Sequence, residues 1–156
     1  MNLINALTRG GLFQTPGTRV NEVLRSAAQQ IPGPIDQPSF DRDHLAETLI
    51  EREDISSTGV GNGVALPHPA TPGRSGWLRP QVSCHYLTQP IDFGAFDGQP
   101  VHTLFLILAH DSEQHLEIMK SLARVLRDPA FRQKLVDRVP LNAILECLGG
   151  GATEEP

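Results

Sequence analysis

Chemistry in this chain concentrates between Ser57 and His68, in the run STGVGNGVALPH. Gly59, Gly61 and Gly63 bracket Asn62, and an apolar triplet then leads to Pro67, His68 and Pro69. Glycine reaches backbone conformations closed to other residues and lets an anion approach the main chain. Successive N–H groups in such a run can form an anion-binding concavity. Pro67 fixes its own φ and biases Leu66 toward an extended form, so His68 sits on a stiff local chain. A rigid imidazole beside a glycine-rich cradle of Gly59, Gly61, Asn62 and Gly63 suits phosphate chemistry. The spacing matches neither GxGxxG nor GxxxxGK[ST], so a tight turn leading to a surface histidine remains open on local grounds.

The other histidines are His44, His85, His102, His110 and His115. His44 reads as a helix-surface residue. His85 and His102 fall within expected strands and read as structural, while His110 closes a strand. His115 falls in the first turn of a helix that follows a buried strand. There the helix dipole disfavours imidazolium, leaving a neutral ring, and ligands of open α/β sheets gather beyond the carboxyl ends of strands. A capping or partly buried role for His115 is the alternative. No HxxxH or HExxH spacing occurs on one helix, so no metal is expected.

These residues need a scaffold. Residues 1–17 read as an entry segment with a strand around Leu12 and Phe13. Val20, Val23, Leu24, Ala27, Ala28 and Ile31 recur at helical spacing, with Thr18 as the cap. Pro32-Gly33-Pro34 ends that helix, and a second begins near Ser39 or Asp41. Val64–Leu66 reads as a short strand, residues 70–80 as loop, Gln81–Leu87 as a strand and Pro90–Gly98 as a turn-rich connection. Val101–Ala109, VHTLFLILA, reads as a central strand buried on both faces. Asp111 opens a helix with Gln114 in capping-box position and Leu116, Met119, Ala123 and Leu126 toward the core. Asp128-Pro129 starts a short helix to about Val136. Pro140 opens the last helix, which the glycines from Gly149 end, leaving a flexible tail at 149–156.

The whole, 156 residues, is expected to form a single α/β domain with its core over about 12–148. A formal net charge of -5 argues against nucleic acid and anionic membranes and favours a basic protein partner. Cys84 and Cys147 show no CxxC spacing and suit a reducing cytoplasm. No secretory leader is expected, and the apolar run near Leu104–Ala109 is too short to enter a bilayer.

Glu51–His68, EREDISSTGVGNGVALPH, closely resembles the active-site signature of phosphotransferase-system (PTS) enzyme IIA domains of the fructose/mannitol type, including the nitrogen-regulatory branch. PIDFGAFDGQPVHTLFLILA (Pro90–Ala109) and HLEIMKSLARVL (His115–Leu126) follow in the family's order. The resemblance runs from about Leu12 to Leu148. It implies an α/β sandwich, a mixed sheet with helices on both sides. It implies a cytoplasmic phosphocarrier without cofactor, active in sugar transport or nitrogen regulation. Such a domain takes a phosphoryl group from the phosphohistidine of HPr or a nitrogen-branch relative and passes it to a IIB domain or uses it as a signal.

By the same resemblance His68 is the phosphorylated nucleophile, His115 a stabilising neighbour and Arg52 a phosphoryl-binding residue. Ser57 and Thr58 read as turn-capping residues. The family usually carries glycine where this chain has Pro69, which removes an N–H beside His68. That departure motivates the alternative, a regulatory binding module of the same fold that takes no phosphate.

Overall fold

The computed structural model describes residues 2–34, 40–71 and 77–150. Among them the order is α1 (Asn2–Gly10), β1 (Leu12–Thr15), α2 (Val20–Gln30), α3 (Arg42–Ile55), β2 (Gly59–Gly61), β3 (Val64–Ala65), β4 (Gln81–Ile91), β5 (Val101–Leu108), α4 (Ser112–Val125), α5 (Pro129–Val136) and α6 (Leu141–Gly150). The strands form one five-stranded sheet in the order β1-β4-β5-β3-β2. β1 with β4 and β3 with β5 are parallel pairs; β4 with β5 and β2 with β3 are antiparallel. The expected mixed sheet is present, with β5 at its centre.

β5 is buried along nearly its whole length because alternate side chains feed two cores. Phe105 and Ile107 pack with Leu3 and Leu7 of α1, Ile118 and Leu122 of α4, Phe131 and Leu135 of α5 and Ile144 of α6. Val101, Leu104, Leu106 and Leu108 pack on the other face with Val23 and Leu24 of α2 and Leu45 and Leu49 of α3. Helices thus cover both faces.

The N-terminal helix α1 departs from expectation. Gly10 and Gly11 suggest a loop, yet Leu3, Ala6 and Leu7 stand at helical spacing and are fully buried, so core packing begins at Leu3 rather than Leu12. Gly10 ends α1 against β4 so closely that a Cβ there would lie 2.0 Å from the Val82 carbonyl oxygen.

Other boundaries shift. Thr18 does not cap α2; Arg19 occupies the N-cap without a capping side-chain bond, and Thr18 donates its N–H and O–H to Glu22. Asp41 caps α3 by accepting the His44 N–H, whereas Ser39 lies outside the described residues. Strand β3 stops at Ala65, and β4 runs past Leu87 through a register shift between Tyr86 and Ile91. Asp111 caps α4 as expected, but Gln114 reaches back to the His110 N–H. The buried face of α4 is Ile118, Leu122 and Leu126, not Leu116 and Ala123, because the helix lies rolled on the sheet; Leu116 is 54% exposed. Asp128 and Pro129 start α5 as read. Gly149 and Gly150 continue α6 instead of ending it. Residues 72–76 of the expected loop and 151–156 of the expected tail lie outside the described residues.

Candidate functional site

The parallel pair β3 and β5 points its carboxyl ends the same way. From β3 the chain runs through Leu66 and Pro67 to His68. From β5 it runs through Ala109 and His110 into α4, whose first turn carries His115. The two imidazoles meet with ring centroids 4.6 Å apart and planes tilted by 52°. This is the strand-end position at which α/β sheets gather ligands.

One hydrogen bond defines the chemistry of His68. Its Nδ1 lies 2.8 Å from the Leu66 carbonyl oxygen. A carbonyl only accepts, so Nδ1 carries the proton and Nε2 keeps an unshared pair. Burial lowers the affinity of His68 for a second proton, the Leu66 carbonyl offsets part of this, and the charge of Arg52 lowers it further. His115 falls to about 4, through burial first and then the nearby His68 ring and Arg52 charge. Both rings are therefore neutral at physiological pH, and His68 presents a nucleophilic nitrogen.

Arg52 occupies the last turn of α3. It donates one Nη1–H to the Ser56 carbonyl oxygen at 2.7 Å and lies 3.4 Å from the Ser56 hydroxyl. A guanidinium has five N–H donors in a planar fork, so most remain for an anion. Two neutral imidazoles beside a permanent cation suit a group that arrives with negative charge and leaves again.

The glycine segment is placed otherwise than expected. Gly59–Gly63 forms the β2–β3 hairpin, with Gly59 opposite Ala65 and Gly61 opposite Val64. Its tip lies at the amino end of β3, the end remote from His68. Gly61, Asn62 and Gly63 take φ values of 91°, 57° and 80° to make that turn. The Asn62 N–H goes to Asp97 and the Gly59 N–H to the Ser57 hydroxyl. The Gly63 carbonyl accepts from His102 and Thr103 of β5, and a Cβ on Gly63 would lie 2.4 Å from the His102 ring. The structure thus sets His68 against His115, with the Arg52 charge felt at both rings, and engages the backbone of Gly61, Asn62 and Gly63 in the hairpin turn. The positive φ values serve strand pairing.

Of the remaining histidines, His110 lies past the end of β5 at Leu108 rather than closing it. His44 and His110 are exposed. His85 is fully buried, with Nδ1 2.8 Å from the Thr15 hydroxyl and Nε2 2.8 Å from the Ser83 hydroxyl; burial lowers it to about 3. His102 contacts the Thr103 hydroxyl. Among the described residues no cluster of His, Cys, Asp or Glu could hold a metal ion.

The sequence reading overlooked Glu53. This residue of α3 is 9% exposed, and its two carboxylate oxygens accept the Thr58 N–H and O–H, each at 2.7 Å. Thr58 and Ser57 act in the turn, as read. The available signal was a carboxylate five positions before a threonine, at a helix end where negative charge is disfavoured.

Fold and site define an α/β domain that presents a neutral, carbonyl-oriented histidine beside a second histidine and an arginine. The chain belongs to the family described as "Phosphoenolpyruvate-dependent sugar phosphotransferase system, EIIA 2", whose model matches residues 15–149. It is 36% identical over 138 residues to a nitrogen regulatory protein of Pseudomonas aeruginosa, covering 86% of each chain. It is 39% identical over 110 residues to the PTS system fructose-specific EIIA component of Haloferax volcanii, covering 69% of this chain and 70% of that one. The fold is shared with nitrogen regulatory protein IIA-Ntr from Neisseria meningitidis, at a TM-score of 0.77 and 24% identity over 92% of this chain and 98% of that one. It is also shared with the IIA mannitol domain of Escherichia coli in complex with phosphorylated IIB mannitol, at a TM-score of 0.72 and 20% identity over 90% and 94%.

Proposed function

We propose that this IIA domain is a phosphocarrier and regulatory subunit that accepts a phosphoryl group on Nε2 of His68. The observation that carries the reading is the Nδ1–H bond to the Leu66 carbonyl, which leaves Nε2 as the nucleophile. The Nε2 pair attacks the phosphorus of a donor phosphohistidine. The new N–P bond forms as the donor's N–P bond breaks, and the donor nitrogen keeps that electron pair. His68 retains its Nδ1–H, so the phosphorylated ring carries positive charge and remains a good leaving group for onward transfer. Arg52 offers its fork to the phosphoryl oxygens, and His115 lies close enough to join it. Phosphoryl transfer needs alignment and charge stabilisation above all.

The donor is an HPr-like carrier or its nitrogen-branch relative, and the acceptor a IIB domain or a regulatory target. The surface near the histidines supports a protein partner. Ile55 is 76% and Leu116 54% exposed, and exposed Glu51, Asp54, Asp111 and Glu113 lie close to them in sequence. An apolar centre with acidic surroundings fits a basic carrier. Cytoplasmic placement follows from that partnership; among the described residues no helix is long and apolar enough to cross a membrane.

Incubation with phosphoenolpyruvate, enzyme I and HPr-type carriers tests the reading. The expected product is an acid-labile phosphoprotein whose ³¹P resonance reports an Nε2 linkage and which His68→Ala abolishes. Failure of every phosphorylated carrier, the nitrogen-branch relative included, would leave the contact module suggested by Pro69.

A further inference from the structure

Glu53 occupies a costly position. Its carboxylate is buried, and among the described residues no basic side chain hydrogen-bonds to it. Burial raises its pKa, opposed by the Thr58 bonds and the Arg52 charge. It also stands in the last turn of α3, where the helix dipole opposes negative charge. A buried carboxylate without an ion pair is unfavourable unless its hydrogen bonds are well made.

What those bonds hold is the segment that carries His68. Both carboxylate oxygens clamp Thr58, through its N–H and its O–H. The Thr58 carbonyl accepts the Leu66 N–H at 3.0 Å. The Leu66 carbonyl accepts the His68 Nδ1–H at 2.8 Å. Pro67 and Pro69 have no N–H to donate, so Leu66–Pro69 is short of backbone anchors. Among the described residues two backbone bonds tie it, Leu66 N–H to Thr58 and the Ile107 N–H to the Pro67 carbonyl at 2.9 Å. Glu53 secures the first of them.

Resting on the reading of His68 as the acceptor, we propose that Glu53 is a positioning residue for phosphoryl transfer: through Thr58 and Leu66 it fixes the ring angle and the protonated nitrogen of His68. It touches neither imidazole nor phosphate. Without the clamp the Leu66 carbonyl shifts, the Nδ1–H loses its acceptor and the other tautomer becomes populated. That tautomer turns an N–H, not a lone pair, toward the donor. Misplacement by about 1 Å is enough to cost roughly 100-fold in rate.

The test compares the wild type with Glu53→Ala, Glu53→Gln and Thr58→Val. Ring ¹⁵N shifts of His68 in the unphosphorylated protein report the tautomer, and rapid-quench transfer from a phosphorylated carrier reports the rate. Glu53→Ala is expected to show a mixture of tautomers and slow transfer by about 10- to 100-fold. Glu53→Gln retains an oxygen for the Thr58 N–H and an amide that can donate to the hydroxyl, so it is expected to restore both readouts. A folded Glu53→Ala protein with the wild-type nitrogen shifts and wild-type rate would overturn the proposal. If Glu53→Ala does not fold, Thr58→Val removes one of the two bonds; it is expected to move both readouts the same way, and no movement would overturn the proposal equally. The nitrogen shifts need no carrier, so a wild type that no carrier phosphorylates would count against the function while the positioning role is still decided.

Discussion

Replacing Arg52 separates charge from geometry at the site. Arg52 spends one Nη1–H on Ser56 and, on the proposed reading, offers the rest of its fork to two phosphoryl oxygens. Hydrogen bonds to charged groups contribute about 1.5–3 kcal/mol each, and only the part gained in the transition state accelerates transfer. Taking about 3 kcal/mol for the lost grip, Arg52→Ala should slow phosphoryl acceptance roughly 100-fold. Arg52→Lys keeps a point charge without the fork and should slow it only about 10-fold. The contact with Ser56 is exposed, so either change should cost less than about 1 kcal/mol of stability. Rapid-quench transfer from a phosphorylated carrier, alongside thermal melts, measures both effects. An alanine variant within about threefold of wild type, or lysine and alanine variants equally slow, would refute the assigned grip.

Three further outcomes are expected. His85 is neutral in the fold at about 3 against an ordinary 6.5, so the unfolded chain binds its proton first and stability falls as pH drops through that window. At pH 4.5 the penalty is on the order of 2–3 kcal/mol; urea titrations of wild type and His85→Gln should diverge by that order between pH 7 and 4.5, and parallel curves would exclude His85 as the source. His115 titrates near 4 in the free protein and should rise by at least about one pH unit once His68 carries a dianionic phosphoryl group, as read from ring-proton NMR; an unmoved titration would separate it from the phosphate. Gly63→Ala should destabilise the fold by about 2 kcal/mol or more in urea unfolding, through its left-handed backbone and the clash with His102, with phosphoryl transfer by the folded fraction unchanged. Slowed transfer in that fraction would return the hairpin amides to the site.

Much of the architecture was legible because β5 is a near-continuous apolar run and the apolar residues of α2 recur at helical spacing. The reading failed where one pattern serves two structures. Gly61, Asn62 and Gly63 have the backbone freedom of an anion cradle and of a tight hairpin alike; only the pairing with Ala65, Asp97 and β5 distinguishes them. Helix α4 carries two apolar stripes, and Leu116 looks like core until the sheet claims Ile118 and Leu122. Its exposure next to His115 is what a docking surface needs. Helix α1 was hidden by Gly10, whose missing Cβ marks close approach to β4 rather than a loop. His68, His115 and Arg52 were named through the resemblance, whereas Glu53 was not, since its proposed role lies in a relay of hydrogen bonds that no local pattern displays.

On the proposed reading the ring of His68 is held through the Leu66 carbonyl and the buried Thr58 and Glu53 behind it, so the choice of reacting atom does not depend on the exposed rim. The rim can drift in charge and shape to suit a transporter or a regulatory target while the same nitrogen stays on offer. Partner choice and bond-making chemistry can therefore evolve on separate parts of one small surface.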